Sequence, residues 1–196
     1  MIEKYIPKFM DILYEDDIKS RVTFNELRDA FHTNQIVSKT DAIIGFSKLP
    51  KTPYKNVLYL GSWFGVLTRF LCDQYPNFDF SQLDYDSSLE TVSKRFLLNV
   101  ANHKNYFICD ALTFDKFSEF TTVINLSTEH MNDSWFDLLP TGTEVVMQSN
   151  NFNIHDHVNL CHNMDEMKKR FPLDTIYYEN SIELNVYTRF TLVGRK

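Results

Sequence analysis

The 196-residue chain is 43% hydrophobic and 23% charged, with a formal net charge of −6, and these values indicate one globular domain with a sizeable core. The acidic balance argues against a nucleic-acid binder, because such proteins usually carry a clustered basic face. The three cysteines (72, 109 and 161) lie far apart and predict neither a disulfide framework nor a zinc site. We therefore expect reduced thiols, a cytoplasmic location and a small-molecule substrate.

The first 50 residues predict a helical extension that packs on the rest of the chain. Thr23 and Glu26 have the spacing of a capping box, and a third short helix is expected over 38–46. Acidic residues interrupt the apolar N-terminus, which argues against a signal peptide, and no stretch approaches the ~20 apolar residues of a membrane span. Two stretches place apolar residues at helical spacing: Ile6, Phe9, Met10 and Leu13, then Phe24, Leu27 and Phe31.

Residues 51–196 predict one domain in which strands and helices alternate five times before a terminal hairpin. This order is typical of a Rossmann-like α/β three-layer sandwich, whose seven-stranded sheet is parallel except for one antiparallel strand. The predicted strands are 56–60, 79–86, 105–111, 121–127, 143–151, 174–184 and 187–195. The predicted helices are 66–75, 87–100, 129–139 and 157–171.

Two glycines, Gly61 and Gly65, follow the first predicted strand in the stretch NVLYLGSWFGVLTRF (56–70). Glycines at this place let the backbone turn tightly and approach a ligand, and open α/β sheets bind ligands at the carboxyl ends of their strands. The pattern lacks the third glycine of a dinucleotide-binding fingerprint, which disfavours a nicotinamide-dependent enzyme. A turn glycine followed by a packing glycine explains the loop equally well.

Carboxylates follow the next two predicted strands. Asp84 ends the second strand about 20 residues after the glycines, where a carboxylate accepts hydrogen bonds from a ribose diol. Asp110 follows the third strand, where a carboxylate can accept from an adenine amine. A solvated strand end or a helix cap is the alternative role for Asp84, and Asp86 could serve as that cap instead.

These motifs together resemble those of class I S-adenosylmethionine-dependent methyltransferases, over about residues 50–196. VLYLGSWFG (57–65) is similar to that family's glycine loop, commonly VLDIGCGTG, and LDYDSSLETVSKRF (83–96), CDA (109–111) and NLSTEHMNDSWFDLLPTGTEVVM (125–147) resemble its later motifs in the same order. The resemblance implies a methyltransferase acting on a small-molecule acceptor, with S-adenosylmethionine as its cofactor. It implies these cofactor-binding residues: Gly61, Ser62, Trp63, Phe64, Gly65, Asp84, Tyr85, Asp110, Ala111 and Asn125.

The glycine loop departs from the family pattern at two positions. Trp63 stands where the family has its middle glycine, and Tyr59 where it has an aspartate. A tryptophan adopts a positive φ only at a cost in energy. We therefore expect the loop to take another path or the indole to point away, with Trp63 and Phe64 forming an apolar lip over the ligand.

Glu129 and His130 follow the fourth strand and are the predicted catalytic residues. His130 has the intrinsic pKa of a general base, and Glu129 would orient it or favour a helix dipole. Nearby polar residues at the strand tips (Asn125, Ser127, Asn150 and Asn151) would bind a polar substrate or cap turns. A histidine-rich stretch fits no structural zinc pattern, so we predict no metal site. We assign solvated loop and capping roles to His155, Asp156, His157 and His162, with metal binding at the substrate as the alternative.

Two basic residues have alternative roles. Lys39, which like Gln35 lies just before the short helix ahead of the first strand, would meet the cofactor's carboxylate or lie on an exposed helix flank. Arg189 opens the last strand and is expected to be exposed, with binding of an acidic acceptor as the alternative. Two functions compete with methyl transfer on the same fold: cleavage or cyclisation of the cofactor, and a non-catalytic subunit that supports a partner.

Overall fold

A computed structural model describes residues 2–13, 15 and 23–196 of the chain. A 3₁₀ turn, Ile2–Tyr5, leads into helix α1, Ile6–Leu13, and then come α2, Phe24–Ala30, and α3, Thr33–Phe46. The predicted capping box is present, since the Glu26 N–H donates to Thr23 Oγ1 at 3.3 Å and the Thr23 N–H donates to Glu26 Oε2 at 2.7 Å. The side chains of Leu13, Phe24 and Leu27 lie outside the described residues.

The sheet has seven strands in the order β3-β2-β1-β4-β5-β7-β6. Strand β7 runs antiparallel to both of its neighbours, and the other neighbouring pairs are parallel, so the predicted architecture is confirmed. The chain order reverses between β1 and β4, where such sheets bind their ligands. The strands are β1 Asn56–Leu60, β2 Asp79–Asp84, β3 His103–Ile108, β4 Thr122–Asn125, β5 Glu144–Asn150, β6 Thr175–Glu183 and β7 Thr188–Arg195.

Helices cover both faces of the sheet because its inner strands, all except β3 and β6, are buried on both sides. Alternate residues of β1 divide between two buried clusters, with Val57 and Tyr59 in one and Leu58 and Leu60 in the other. The first cluster includes Phe9 of α1 and Phe46 of α3, as well as side chains from α4, Val66–Gln74, and α5, Ser88–Phe96. The second includes side chains from α6, Ser134–Asp137, and α7, Met164–Arg170.

Two predicted helices are much shorter than expected. In place of the predicted helix 129–139, the chain forms a 3₁₀ turn, Thr128–His130, followed by the short helix α6. Helix α6 begins at Ser134, whose N–H donates to the Asn132 side chain at 2.9 Å. Residues 157–171 form a helix only from Met164, because Asn163 caps it by accepting from the Glu166 N–H at 2.8 Å. The preceding residues, 151–163, are a loop at the carboxyl end of β5.

The N-terminal helices pack directly on the sheet domain. The Phe9 ring of α1 lies 4.7 Å from the Phe96 ring and 5.6 Å from the Phe64 ring, between centroids. Helix α3 contacts strands β5, β6 and β7. Within the described residues, none of the helices is long and apolar enough to cross a membrane.

Candidate functional site

A cavity of about 1280 Å³ opens where the chain order of the sheet reverses. Its walls come from α2 and α3, from the loops after β1, β2, β3 and β4, and from the loop 151–158. Ligand pockets usually have volumes of roughly 300–1,000 Å³, so this cavity has room for two reactants side by side.

The glycine loop follows β1 and has three residues in the left-handed region. Their φ angles are +59° at Gly61, +50° at Trp63 and +72° at Gly65. The expectation that Trp63 would avoid a positive φ is therefore wrong, although a non-glycine residue there costs about 1–2 kcal/mol. The Trp63 N–H donates to Asp84 Oδ2 at 2.9 Å, and its indole stacks on Phe64 at 4.8 Å between centroids. These two contacts offset the cost of the conformation.

Phe64 does not form the predicted apolar lip. Its side chain is only 1% exposed and belongs to the core cluster around Phe9, because the turn directs it under the loop. Trp63 is partly buried and faces the cavity together with Ser62 and Gly61. Gly65 is required for two reasons, since a Cβ there would lie 2.7 Å from the Gln82 side-chain amide, in addition to the unfavourable φ.

Asp84 lies at the tip of β2, directly beside the glycine loop. The carboxylate is 6% exposed and accepts from the backbone N–H groups of Trp63 and Asp86, at 2.9 and 3.2 Å. Burial raises the pKa of Asp84, and these two N–H donors oppose the increase. Asp86 takes the capping role instead, since its carboxylate accepts from the Ser88 N–H at 2.8 Å.

The four remaining predicted cofactor contacts, after the glycine loop and Asp84, occupy different places. Tyr85 is 81% exposed at the cavity wall, and Asp110, also exposed, accepts from the Leu112 N–H at 2.8 Å. Ala111 is buried beside it and lines the cavity. Asn125 is not among the lining residues, because it is fully buried, with its amide nitrogen 3.1 Å from the Met131 sulfur. Ser127 takes its place in the wall.

Glu129 lies in a buried ion pair in the cavity wall, on the 3₁₀ turn that follows β4. Its Oε1 accepts from the Arg189 guanidinium at 2.5 Å and from the Asn150 amide at 2.6 Å. Arg189 also donates to the Leu126 carbonyl at 2.9 Å and to Ser38 Oγ at 3.1 Å. The expectation of an exposed Arg189 is therefore wrong, because the register of β7 places it opposite Asn150, inside the cavity wall.

His130 is exposed and does not contact the Glu129 carboxylate through its Nδ1, which instead lies 3.1 Å from the Asp156 carbonyl. The loop 151–163 places the His157 ring against the His130 ring, with 4.6 Å between the centroids. Sequence reasoning missed this pair, because the two histidines are separated by a whole strand. His155 lies apart from them, fully exposed beside the Asp156 carboxylate.

Lys39 is buried in the cavity wall on α3. Its ammonium donates to Gln35 Oε1 at 2.8 Å and lies 5.9 Å from the centroid of the Trp63 ring. Burial and, to a smaller degree, the charge of Arg189 lower the pKa of Lys39 to about 7. Of the two predicted placements, the structure has the one that faces the ligand cavity and excludes the exposed helix flank.

Tyr59 fills the position of the family's aspartate. It is 6% exposed, lines the cavity below the glycine loop, and has its pKa raised by burial. It therefore offers a neutral hydroxyl to a ligand where the family has a carboxylate.

Comparison with known proteins identifies the fold. No protein-family model matches the chain, and no curated protein matches it. Among solved structures, geranyl diphosphate C-methyltransferase from Streptomyces coelicolor A3(2), in complex with Mg²⁺, geranyl diphosphate and S-adenosyl-L-homocysteine, matches 80% of the chain at a TM-score of 0.61 and 12% identity. The chain has the class I methyltransferase fold.

Two further structures show the same fold at different lengths. EvdMO1 matches 81% of the chain at a TM-score of 0.60 and 14% identity. Coclaurine N-methyltransferase, bound to N-methylheliamine and SAH, matches 76% of the chain at a TM-score of 0.59 and 11% identity. The chain spans 40% of EvdMO1, 52% of coclaurine N-methyltransferase and 77% of the geranyl diphosphate enzyme. The shared part is the class I methyltransferase fold described above.

Proposed function

We propose that the chain is an S-adenosylmethionine-dependent methyltransferase that acts on a small-molecule acceptor. The observation that carries this proposal is the position of Asp84, a buried carboxylate at the tip of β2, next to a loop with three left-handed residues. Two solved structures of this fold contain S-adenosylhomocysteine, the product of methyl transfer from S-adenosylmethionine. When bound, that cofactor would supply an electrophilic methyl group.

Residues at the carboxyl ends of neighbouring strands would each contact a different part of the cofactor. The Asp84 carboxylate, which has acceptor capacity beyond the two N–H groups that it already binds, would accept from the ribose diol. Asp110 and Ala111 would contact the adenine. The glycine loop would surround the amino-acid end, and the Lys39 ammonium, directed into the cavity, would bind its carboxylate.

The acceptor would lie in the remainder of the cavity, between β4, the loop 151–158 and α2. The large volume, the partly buried Trp63 and the polar wall from Ser127 to His130 suit a small molecule with both apolar and polar parts. These residues would align the acceptor's nucleophilic atom with the methyl group, and alignment is the main contribution that an enzyme makes when the donor is already reactive.

Calorimetric titration with S-adenosylmethionine tests the binding site. We expect 1:1 binding by the wild type and at least a ~5-fold loss with Asp84→Ala, because a charge-assisted hydrogen bond contributes about 1 kcal/mol or more. Asp79→Ala is the matched control, since Asp79 lies at the opposite end of the same strand and should leave the affinity unchanged. Equal affinity of wild type and Asp84→Ala would remove Asp84 from the proposal.

Product analysis tests the reaction itself. Turnover with candidate acceptors should release S-adenosylhomocysteine. Methylthioadenosine would instead indicate cleavage or cyclisation of the cofactor, and binding without either product across a broad acceptor panel would favour a non-catalytic subunit.

A further inference from the structure

Three metal-ligating side chains converge at the acceptor side of the cavity. The ligand atoms of Glu129, His130 and His157 all lie within 4.8 Å of one another. We propose that these residues form a site for a divalent transition-metal ion, with open coordination positions that face the cavity. The spacing of the histidines in sequence hid this arrangement, because Glu129 and His130 follow β4 whereas His157 comes from the loop after β5.

Both imidazoles are held in the tautomer that a metal ligand needs. His130 Nδ1 lies 3.1 Å from the Asp156 carbonyl oxygen, and His157 Nδ1 lies 2.6 Å from the Phe152 carbonyl oxygen. A carbonyl oxygen can only accept, so each Nδ1 carries the proton and each Nε2 of the neutral ring keeps a free lone pair. Metal-binding histidines are usually fixed by such a hydrogen bond from their other nitrogen.

Glu129 supplies an independent sign of a missing ligand. The residue is 2% exposed, and its Oε2 is buried with no hydrogen-bond partner among the described residues. A buried carboxylate oxygen without a partner is costly, whereas a bound cation would satisfy it. Oε1 is held by Arg189 and Asn150, which fix the plane of the carboxylate and leave Oε2 for the metal.

The two segments that carry the ligands are tied together. The backbone N–H groups of Val158 and Asn159 both donate to the Glu129 carbonyl, at 2.9 and 3.1 Å. The Asn159 side chain also donates to the Met131 carbonyl at 2.6 Å. Metal–nitrogen bonds of about 2.1 Å place tetrahedral ligands roughly 3.4 Å apart. The separations, at most 4.8 Å, therefore need to close by up to about 1.4 Å, which rotation of the two rings can supply.

The donor set selects the class of metal. Two imidazoles and one carboxylate suit Zn²⁺, Co²⁺, Fe²⁺ or Mn²⁺, whereas Mg²⁺ and Ca²⁺ prefer oxygen ligands alone. Three protein ligands leave at least one position open, and on the proposed function this position would bind a hydroxyl or anionic group of the acceptor. A metal-bound His130 cannot also act as the predicted general base, because its Nε2 lone pair is used by the metal.

Titration with CoCl₂ tests the site without any enzyme assay, because Co²⁺ bound to imidazole gives visible absorption bands. The protein should carry no histidine tag. We expect saturable 1:1 binding, and a loss of at least ~10-fold in Co²⁺ affinity for His130→Ala and for His157→Ala. His130 is exposed on its 3₁₀ turn and His157 is partly buried in the loop, outside the core clusters, and circular dichroism verifies that both variants fold. His155→Ala, two residues from His157 and fully exposed, is the matched control and should bind Co²⁺ like the wild type.

Two results would overturn the proposal. One is the absence of a saturable 1:1 Co²⁺ spectrum in the wild type, and the other is an equal loss of affinity in His155→Ala. Calorimetry with S-adenosylmethionine on metal-free protein reports on the proposed function separately. Cofactor binding without Co²⁺ binding would refute the metal site alone, whereas Co²⁺ binding without cofactor binding would refute the proposed function alone.

Discussion

Replacing Lys39 with methionine should make the folded protein more stable. Lys39 is a buried cation of the cavity wall, 7% exposed, and in the folded state its pKa is lowered from 10.5 to about 7. Methionine has a similar length and no charge, so it removes the cost of burying the ammonium and keeps most of the packing. The charge is retained, in our proposal, because the cofactor's carboxylate would neutralise it.

The size of this stabilisation follows from the difference between the pKa of Lys39 in the unfolded and folded states. It decreases as the pH rises. Each pH unit between 10.5 and 7 corresponds to 1.36 kcal/mol, so the protonated lysine costs the folded state about 5 kcal/mol below pH 7. Between pH 7 and 10.5 the unfolded chain holds this proton and the folded protein does not. The cost therefore decreases as the pH rises, to about 2 kcal/mol at pH 9.

Urea unfolding at pH 6 and pH 9, without cofactor, measures this difference. Lys39→Met should raise the free energy of unfolding, by up to about 5 kcal/mol at pH 6 and by less at pH 9. Lys48→Met is the matched control, since Lys48 is exposed just beyond the same helix and should change little at either pH. A Lys39→Met variant no more stable than this control at pH 6 would show that the ammonium is not desolvated.

Two further predictions concern the same cavity. Gly65→Ala should destabilise the fold by at least ~2 kcal/mol more than Gly142→Ala in thermal or urea unfolding. Both glycines have positive φ, but a Cβ at Gly65 would lie 2.7 Å from the Gln82 amide whereas Gly142 has open space, and equal losses would show that only backbone strain matters. The affinity for S-adenosylmethionine should be constant below pH 7 and fall by up to ~10-fold per pH unit above it, because a bound carboxylate needs Lys39 protonated. Calorimetry across pH 6–9 checks this, and a pH dependence that persists in Lys39→Met would assign it to another group.

The sequence predicted the sheet well because most of its inner strands are short apolar runs bounded by turn residues, a signal that depends only on neighbouring positions. The position of Asp84 at the tip of β2 was predictable for the same reason. Arg189 was not, because its burial depends on a partner, Glu129, that is distant in sequence. The conformation of Trp63 also depends on a distant group, the Asp84 carboxylate that accepts from its N–H.

The loop 151–163 shows a further limit of periodicity. Apolar residues there suggested a helix beginning at His157. Side-chain contacts to backbone carbonyls instead hold the segment as a loop, through the His157 ring and the Asn159 amide. Such contacts compete with helical hydrogen bonds, and only the folded chain reveals which of them form.

The contact between Phe9 and Phe64 joins the first helix to the glycine loop from below. None of the described residues of α1 lines the cavity, yet the Phe9 ring of this helix packs against Phe64, the residue next to Trp63. Binding and local order are reciprocal, so a small molecule that steadies the turn must also steady α1, and fraying of α1 must weaken the hold on that molecule by the same free energy. Helix α1 would therefore contribute to the free energy of binding although none of its described residues lines the cavity.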